Sequence, residues 1–219
     1  MKVTIKKTIF FMALLLAGVA YVISISILRF MAMPLNLPAP WSTVISVLIN
    51  VIYASSIFYL ICIVKFKGEK KIIMISLLLF LCITVVFSAI FTLSFQNMAL
   101  LIPLSVINVL VMLNMVVQIF RITDTTLGIP FKLWGISLVF KLAAQFGLPF
   151  VFEYLADNLS INFNALSYIS TVLEILPTFI IVFIFVKVLQ GLKSQQNIQI
   201  KAGLSEIYLS DNSDKTEQW

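Results

Sequence analysis

Two charged residues of opposite sign stand in the middle of apolar runs, and they are where any chemistry would start. Lys141 lies in the run 131–155 and Glu174 in the run 165–189. Ser137, Lys141 and Gln145 recur every four residues, which a helix turns into one stripe. Ser167, Ser170, Thr171, Glu174 and Thr178 fall at i, i+3, i+4, i+7 and i+11, again one helical face. Such a set can serve a proton, an ion or a polar solute, because ionisable groups inside a membrane are costly. At a rise of about 1.5 Å per residue, Lys141 lies roughly 21 Å below residue 155 and Glu174 about 14 Å below residue 165. Two long side chains span that difference of about 7 Å, so a Lys141–Glu174 ion pair is expected. The competing role for the pair is to fix helix register.

Other runs supply further polar groups. Asn50 and Asn108 are the most central and complete the candidate site: Lys141, Gln145, Glu174, Ser137, Ser170, Thr171, Asn50 and Asn108. The groups around them (Ser46 and Tyr53, Thr84 and Ser88, Asn114 and Gln118) read as helix–helix hydrogen-bonding residues worth about 0.6 kcal/mol each. Arg121 is expected to reach for lipid phosphates, and Glu153 and Asp157 to be solvated. Pro103, Pro149 and Pro177 fall inside runs four, five and six, either as ordinary proline kinks, common in membrane helices, or as breaks that free backbone carbonyls, as in many transporter sites.

Catalysis is weakly served. Ser137 and Lys141 have the spacing of a Ser–Lys nucleophile and base, but no oxyanion hole is readable and Glu174 competes for the lysine. The chain has no histidine, which excludes Ser-His hydrolases, helical zinc proteases and b-type haem ligation. Cys62 and Cys82 form no CxxC pair and read as small core hydrophobes. Neither a P-loop nor a GxGxxG is present. The expectation is a non-enzyme with no cofactor and no metal.

The elements that position these residues follow from composition. Hydrophobic residues make up 61% of the 219 and charged residues 11%, with a mean hydropathy of +1.10. Soluble domains carry roughly 45–50% and about 25%. Lipid must be the main solvent, and the fold class is all-α: a polytopic bundle of six membrane-spanning helices. The runs are 8–30, 42–64, 72–95, 98–120, 131–155 and 165–189, a transmembrane domain over 1–193. Short breaks between them make successive helices antiparallel neighbours. A polar cytoplasmic tail follows over 194–219, its last ten residues expected to be disordered.

Of the fifteen basic residues, all but Arg29 and Lys141 gather before run one, after run two, around the loop after run four, or at and beyond the end of run six. The positive-inside rule then places both termini in the cytoplasm. The net charge of +6 is a topology signal, and nucleic-acid binding is not expected. Cleavage of the first run as a signal peptide, near Ala20, is the rival reading, but the apolar stretch continues to spanning length. Trp41, Tyr168 and Trp134 are expected at membrane interfaces. Asn158-Leu159-Ser160 is a formal glycosylation sequon. Ala13, Ala17, Ala20 and Ser24 form a small-residue face suited to the bundle, a homo-oligomer or a partner membrane subunit.

The function expected is that of a small secondary transporter or channel-like protein with a polar site between runs five and six. The alternative is a non-catalytic membrane subunit, sensor or effector acting through a partner protein. The setting expected is a cell membrane, most simply the bacterial cytoplasmic membrane.

Overall fold

The computed structural model describes the backbone of residues 2–30, 39–93, 98–159 and 163–213, and the side chains of 2–27, 43–90, 101–151, 154, 172–173 and 175–198. The described elements are six helices: α1 (Ile5–Phe30), α2 (Ala39–Phe66), α3 (Lys71–Leu93), α4 (Met98–Ile119), α5 (Gly128–Leu159) and α6 (Phe163–Ser213). Each contains a segment of 19 to 24 residues long and apolar enough to cross a membrane. The six expected runs map one to one onto these helices. The clearest difference is α6, which runs on as one helix to Ser213, past the change to polar composition at 194. Trp41 and Tyr168 fall outside the described side chains, as do Asn158, Glu153 and Asp157.

Of the two readings of the prolines, the broken helix does not hold. Pro103, Pro149 and Pro177 each lie inside one continuous helix. A proline removes a single donor, and neighbouring helices and side chains can hold the helix together across it.

The helices pack in chain order, and α6 returns to pack on α1, closing a ring of six. Among the described residues the core of that ring is lopsided. Buried residues come from the first half of α1 (Leu15), the end of α2 (Tyr59, Ile63), the start of α3 (Ile73, Leu77), the end of α4 (Met115, Ile119), the start of α5 (Phe131, Trp134) and the Ile181–Val188 stretch of α6. These lie towards the end where Lys2, Lys6, Lys65, Lys71, Arg121 and Lys132 gather, termed the basic end.

An aromatic plug centres on Tyr59. Its ring stacks on Phe11 at 4.5 Å and meets Phe185 edge-on at 5.5 Å. Its hydroxyl lies 2.7 Å from Thr8 Oγ1, which donates to the Thr4 carbonyl. A buried hydroxyl needs such a partner, so Tyr59 ties α2 to α1. Trp134 is also fully buried, against the expectation of an interfacial anchor. It faces Phe131 at 6.3 Å, and its apolar area outweighs its one polar atom. Nε1 has no hydrogen-bond partner among the described residues, a cost for which we have no compensating contact.

Two further expectations change. Cys62 packs against the core but Cys82 is exposed, because it sits on the outer side of α3. Ala13, Ala17, Ala20 and Ser24 are exposed, so packing inside the bundle does not use that face; α1 turns Leu15 and Val19 inward instead.

At the basic end two loops are latched. Gly68, with φ of 72°, closes α2 and turns the chain so that Glu69 reaches the loop after α4. The Glu69 carboxylate accepts from the amides of Thr123 (3.0 Å) and Asp124 (2.7 Å). Asp124 Oδ1 in turn accepts from the Thr126 hydroxyl and the Thr126 and Leu127 amides just ahead of α5, and Lys67 Nζ lies 3.2 Å from its other oxygen.

Candidate functional site

Beyond the buried core the ring opens. A cavity of about 380 Å³ is lined from five of the six helices, including Gly18 of α1, Asn50 and Tyr53 of α2, Thr84 of α3, Lys141 of α5 and Thr178 of α6. Gly18, Tyr53, Thr84 and Lys141 each stand 13 residues from the basic-end terminus of their own helix. At about 1.5 Å per residue they form one layer roughly 20 Å along the bundle, near its mid-length. Leu15, which is buried, also lines the cavity, as do Val19 and Ile175, so the tight core forms its floor.

The layer combines a cation with neutral hydrogen-bonding groups. Lys141 is half-buried, with the amide of Asn50, the phenol of Tyr53 and the hydroxyls of Thr84 and Thr178 around the same space. Thr84 Oγ1 donates to Asn108 Oδ1 at 3.5 Å, which brings α4 into contact with the layer. Pro177, also on the cavity wall, has no amide hydrogen to donate. A cation, several donors and acceptors, and apolar walls can hold a polar or anionic group on a small amphipathic molecule.

The structure places the expected residues in three groups. Lys141 and Asn50 share the cavity, and Asn108 joins it through Thr84. Ser137 does not share it: its hydroxyl is buried in the core and donates to the Trp134 carbonyl at 2.7 Å. Gln145 is exposed and is not among the residues that line this cavity. The expected stripe therefore splits, with Ser137 in the dry floor, Lys141 in the cavity and Gln145 beyond it. The side chains of Glu174, Ser170 and Thr171 lie outside the described residues, and with them the expected Lys141–Glu174 pair.

Tyr53 and Thr84, whose types and positions read as ordinary helix–helix polar groups, line the cavity together with Thr178 of the expected α6 face. The signal that could have found them is level. Measured from the basic-end termini, Tyr53 and Thr84 stand at the height of Lys141.

A second cavity, about 570 Å³, lies between α2 and α3. Its walls include Val51, Phe58 and Val85, exposed on the outside of the ring. Asn50, Tyr53 and Thr84 line both cavities. Among the described residues, no group of His, Cys, Asp and Glu is placed to hold a metal ion. The chain matches no family model, no curated protein and no solved structure.

Proposed function

We propose that the six helices span a cell membrane, with both termini cytoplasmic, and that the central cavity is the solute site of a small secondary transporter or channel-like protein. The observation that carries this reading is Lys141. A half-buried lysine on a cavity at mid-length of an apolar bundle is the arrangement in which a membrane protein handles a charged or polar cargo. The basic-end excess supports the orientation, and a bacterial cytoplasmic membrane is the setting proposed. Tyr53, Thr84, Asn50 and Thr178 orient the cargo. Glu174, one turn before Thr178 on α6, is proposed as the balancing charge. The aromatic plug and loop latch keep the cytoplasmic side shut, so access comes from the opposite side. Transport then requires a second arrangement in which the plug parts.

Cysteine accessibility tests this on a background lacking Cys62 and Cys82. Single cysteines at Asn50 and Thr178 are expected to react with a membrane-impermeant thiol reagent added outside, whereas one at Ser137 stays protected. Protection at all three positions would sink the aqueous site.

The exposed Ala13–Ala17–Ala20 face favours a second reading, a membrane subunit that acts through a partner or a second copy. A cysteine at Ala17 that forms a disulfide-linked dimer in the bilayer, with Asn50 and Thr178 protected, would favour it.

A further inference from the structure

We propose that the α2–α3 groove and the central cavity are two parts of one binding site, and that its occupant is a single-chain anionic lipid taken laterally from the bilayer. The tail lies in the groove and the carboxylate or comparable head passes between Asn50, Tyr53 and Thr84 to Lys141. The inference rests on the membrane placement and solute site proposed above.

Three features carry it. The groove opens outward, since Val51, Phe58 and Val85 on its walls are exposed, and in a bilayer the molecules that meet such a wall are lipid chains. The two spaces adjoin, because Asn50, Tyr53 and Thr84 line both. Polarity then runs in the order an amphiphile requires. Apolar side chains dominate the outer groove, neutral donors and acceptors stand at the junction, and the Lys141 ammonium lies on the inner side. The volumes, about 570 and 380 Å³, each fall within the roughly 300–1,000 Å³ of small-molecule sites. An ordinary lipid-facing surface offers the first of these features but not the other two. Lys141 supplies the selection for negative charge, the anionic head taking the place beside it that Glu174 is proposed to hold in the empty site.

The test uses the full chain in proteoliposomes with a photoactivatable long-chain carboxylate and the matching neutral alcohol. Adducts are mapped by mass spectrometry. The carboxylate is expected to label Val51, Phe58 and Val85 in preference to Val106 and Phe150, which are exposed on α4 and α5. Unlabelled long-chain carboxylate is expected to remove the groove signal. Lys141→Gln should lower it about tenfold, the loss of one charge-assisted contact, while Lys141→Arg retains most of it. Ala89→Trp guards against a folding failure at Lys141: Ala89 is an exposed wall residue of the groove, so a large ring there blocks the tail with the lysine intact.

Equal labelling of groove and control faces, or equal labelling by acid and alcohol, would overturn the proposal. So would displacement by butyrate as effective as by the long chain, which would make the cargo a soluble anion. Thiol accessibility on the same preparation separates the two levels. Carboxylate-selective labelling with Asn50 and Thr178 protected keeps the lipid site and removes the aqueous transport reading. Reactive cysteines without selective labelling do the reverse.

Discussion

The basic end of the bundle and the described part of its other half are built from the same six helices and hold themselves together differently. At the basic end, Tyr59, Trp134, Phe131 and Phe185 are fully buried, and buried polar groups such as Thr8 and Ser137 are hydrogen-bonded. Beyond it, among the described residues, large side chains such as Phe146 and Phe150 are exposed, and the layer at mid-length is lined by Gly18, Asn50, Thr84 and Lys141. Close packing gives rigidity only where facing side chains fill the space between helices. The difference therefore lies in the side chains: the basic end is a stable base, and the layer above it holds a space that something else can fill.

The sharpest way to break that contrast is to truncate an aromatic at each end. Trp134→Ala and Phe185→Ala are expected to cost about 3–5 kcal/mol each, the range for buried aromatics. Phe146→Ala and Phe150→Ala, at 65% and 74% exposed, should change stability by no more than about 0.5 kcal/mol. Denaturant unfolding in one mixed-micelle system measures all four, and similar losses at both ends would refute the asymmetry.

Two glycines of α5 give a smaller version of the same comparison. A Cβ on Gly135 would stand 3.3 Å from Val116 and 3.4 Å from Phe120, whereas one on Gly147 would meet nothing within 4 Å. Gly135 is thus where α5 and α4 approach closely. Gly135→Leu should destabilise by about 1–3 kcal/mol through overpacking. Gly147→Ala should stabilise by about 0.5–1 kcal/mol, because alanine costs less backbone entropy in a helix than glycine. Thermal unfolding of the two variants checks both signs, and a neutral Gly135→Leu would show that the α4–α5 seam is looser than drawn.

The helices were legible in the sequence because a spanning run needs only length and apolarity, and both are local. The lopsided core was not. Trp134 has the position of an interfacial anchor along the chain, but the ring turns it inward, and rotation about a helix axis is set by neighbours. The split of Ser137, Lys141 and Gln145 has the same origin. Four-residue spacing puts the three on one stripe, yet that stripe climbs from a filled layer through an open one. Lys141 was legible because a charge in an apolar run stands out alone. Tyr53 and Thr84 were not, since their types are common in such helices and only a count from the basic-end helix termini sets them level with the lysine. The latch involves residues from two separate loops, and nothing local pairs Lys67 and Glu69 with Asp124.

That latch supplies an effect that depends on pH. Burial opposes the charged form of Asp124, but the Thr126 hydroxyl, the Leu127 amide and the Lys67 ammonium outweigh it and hold the carboxyl below its ordinary value. A lowered folded value means that the latch favours the folded state fully above the ordinary carboxylate value of about 3.9 and loses that contribution as the pH falls through the lowered one. Asp124→Asn keeps an oxygen to accept from the amides but removes the charge, so near neutral pH it should cost no more than about 1 kcal/mol. Asp124→Ala also removes the cap before α5 and should cost about 1 kcal/mol beyond that. Unfolding measured between pH 6 and pH 3 should show the wild type and the asparagine variant converging at the acid end. A constant gap across that range would mean that the charge of Asp124 does not hold the loops, and that the basic end is closed by its aromatic plug alone.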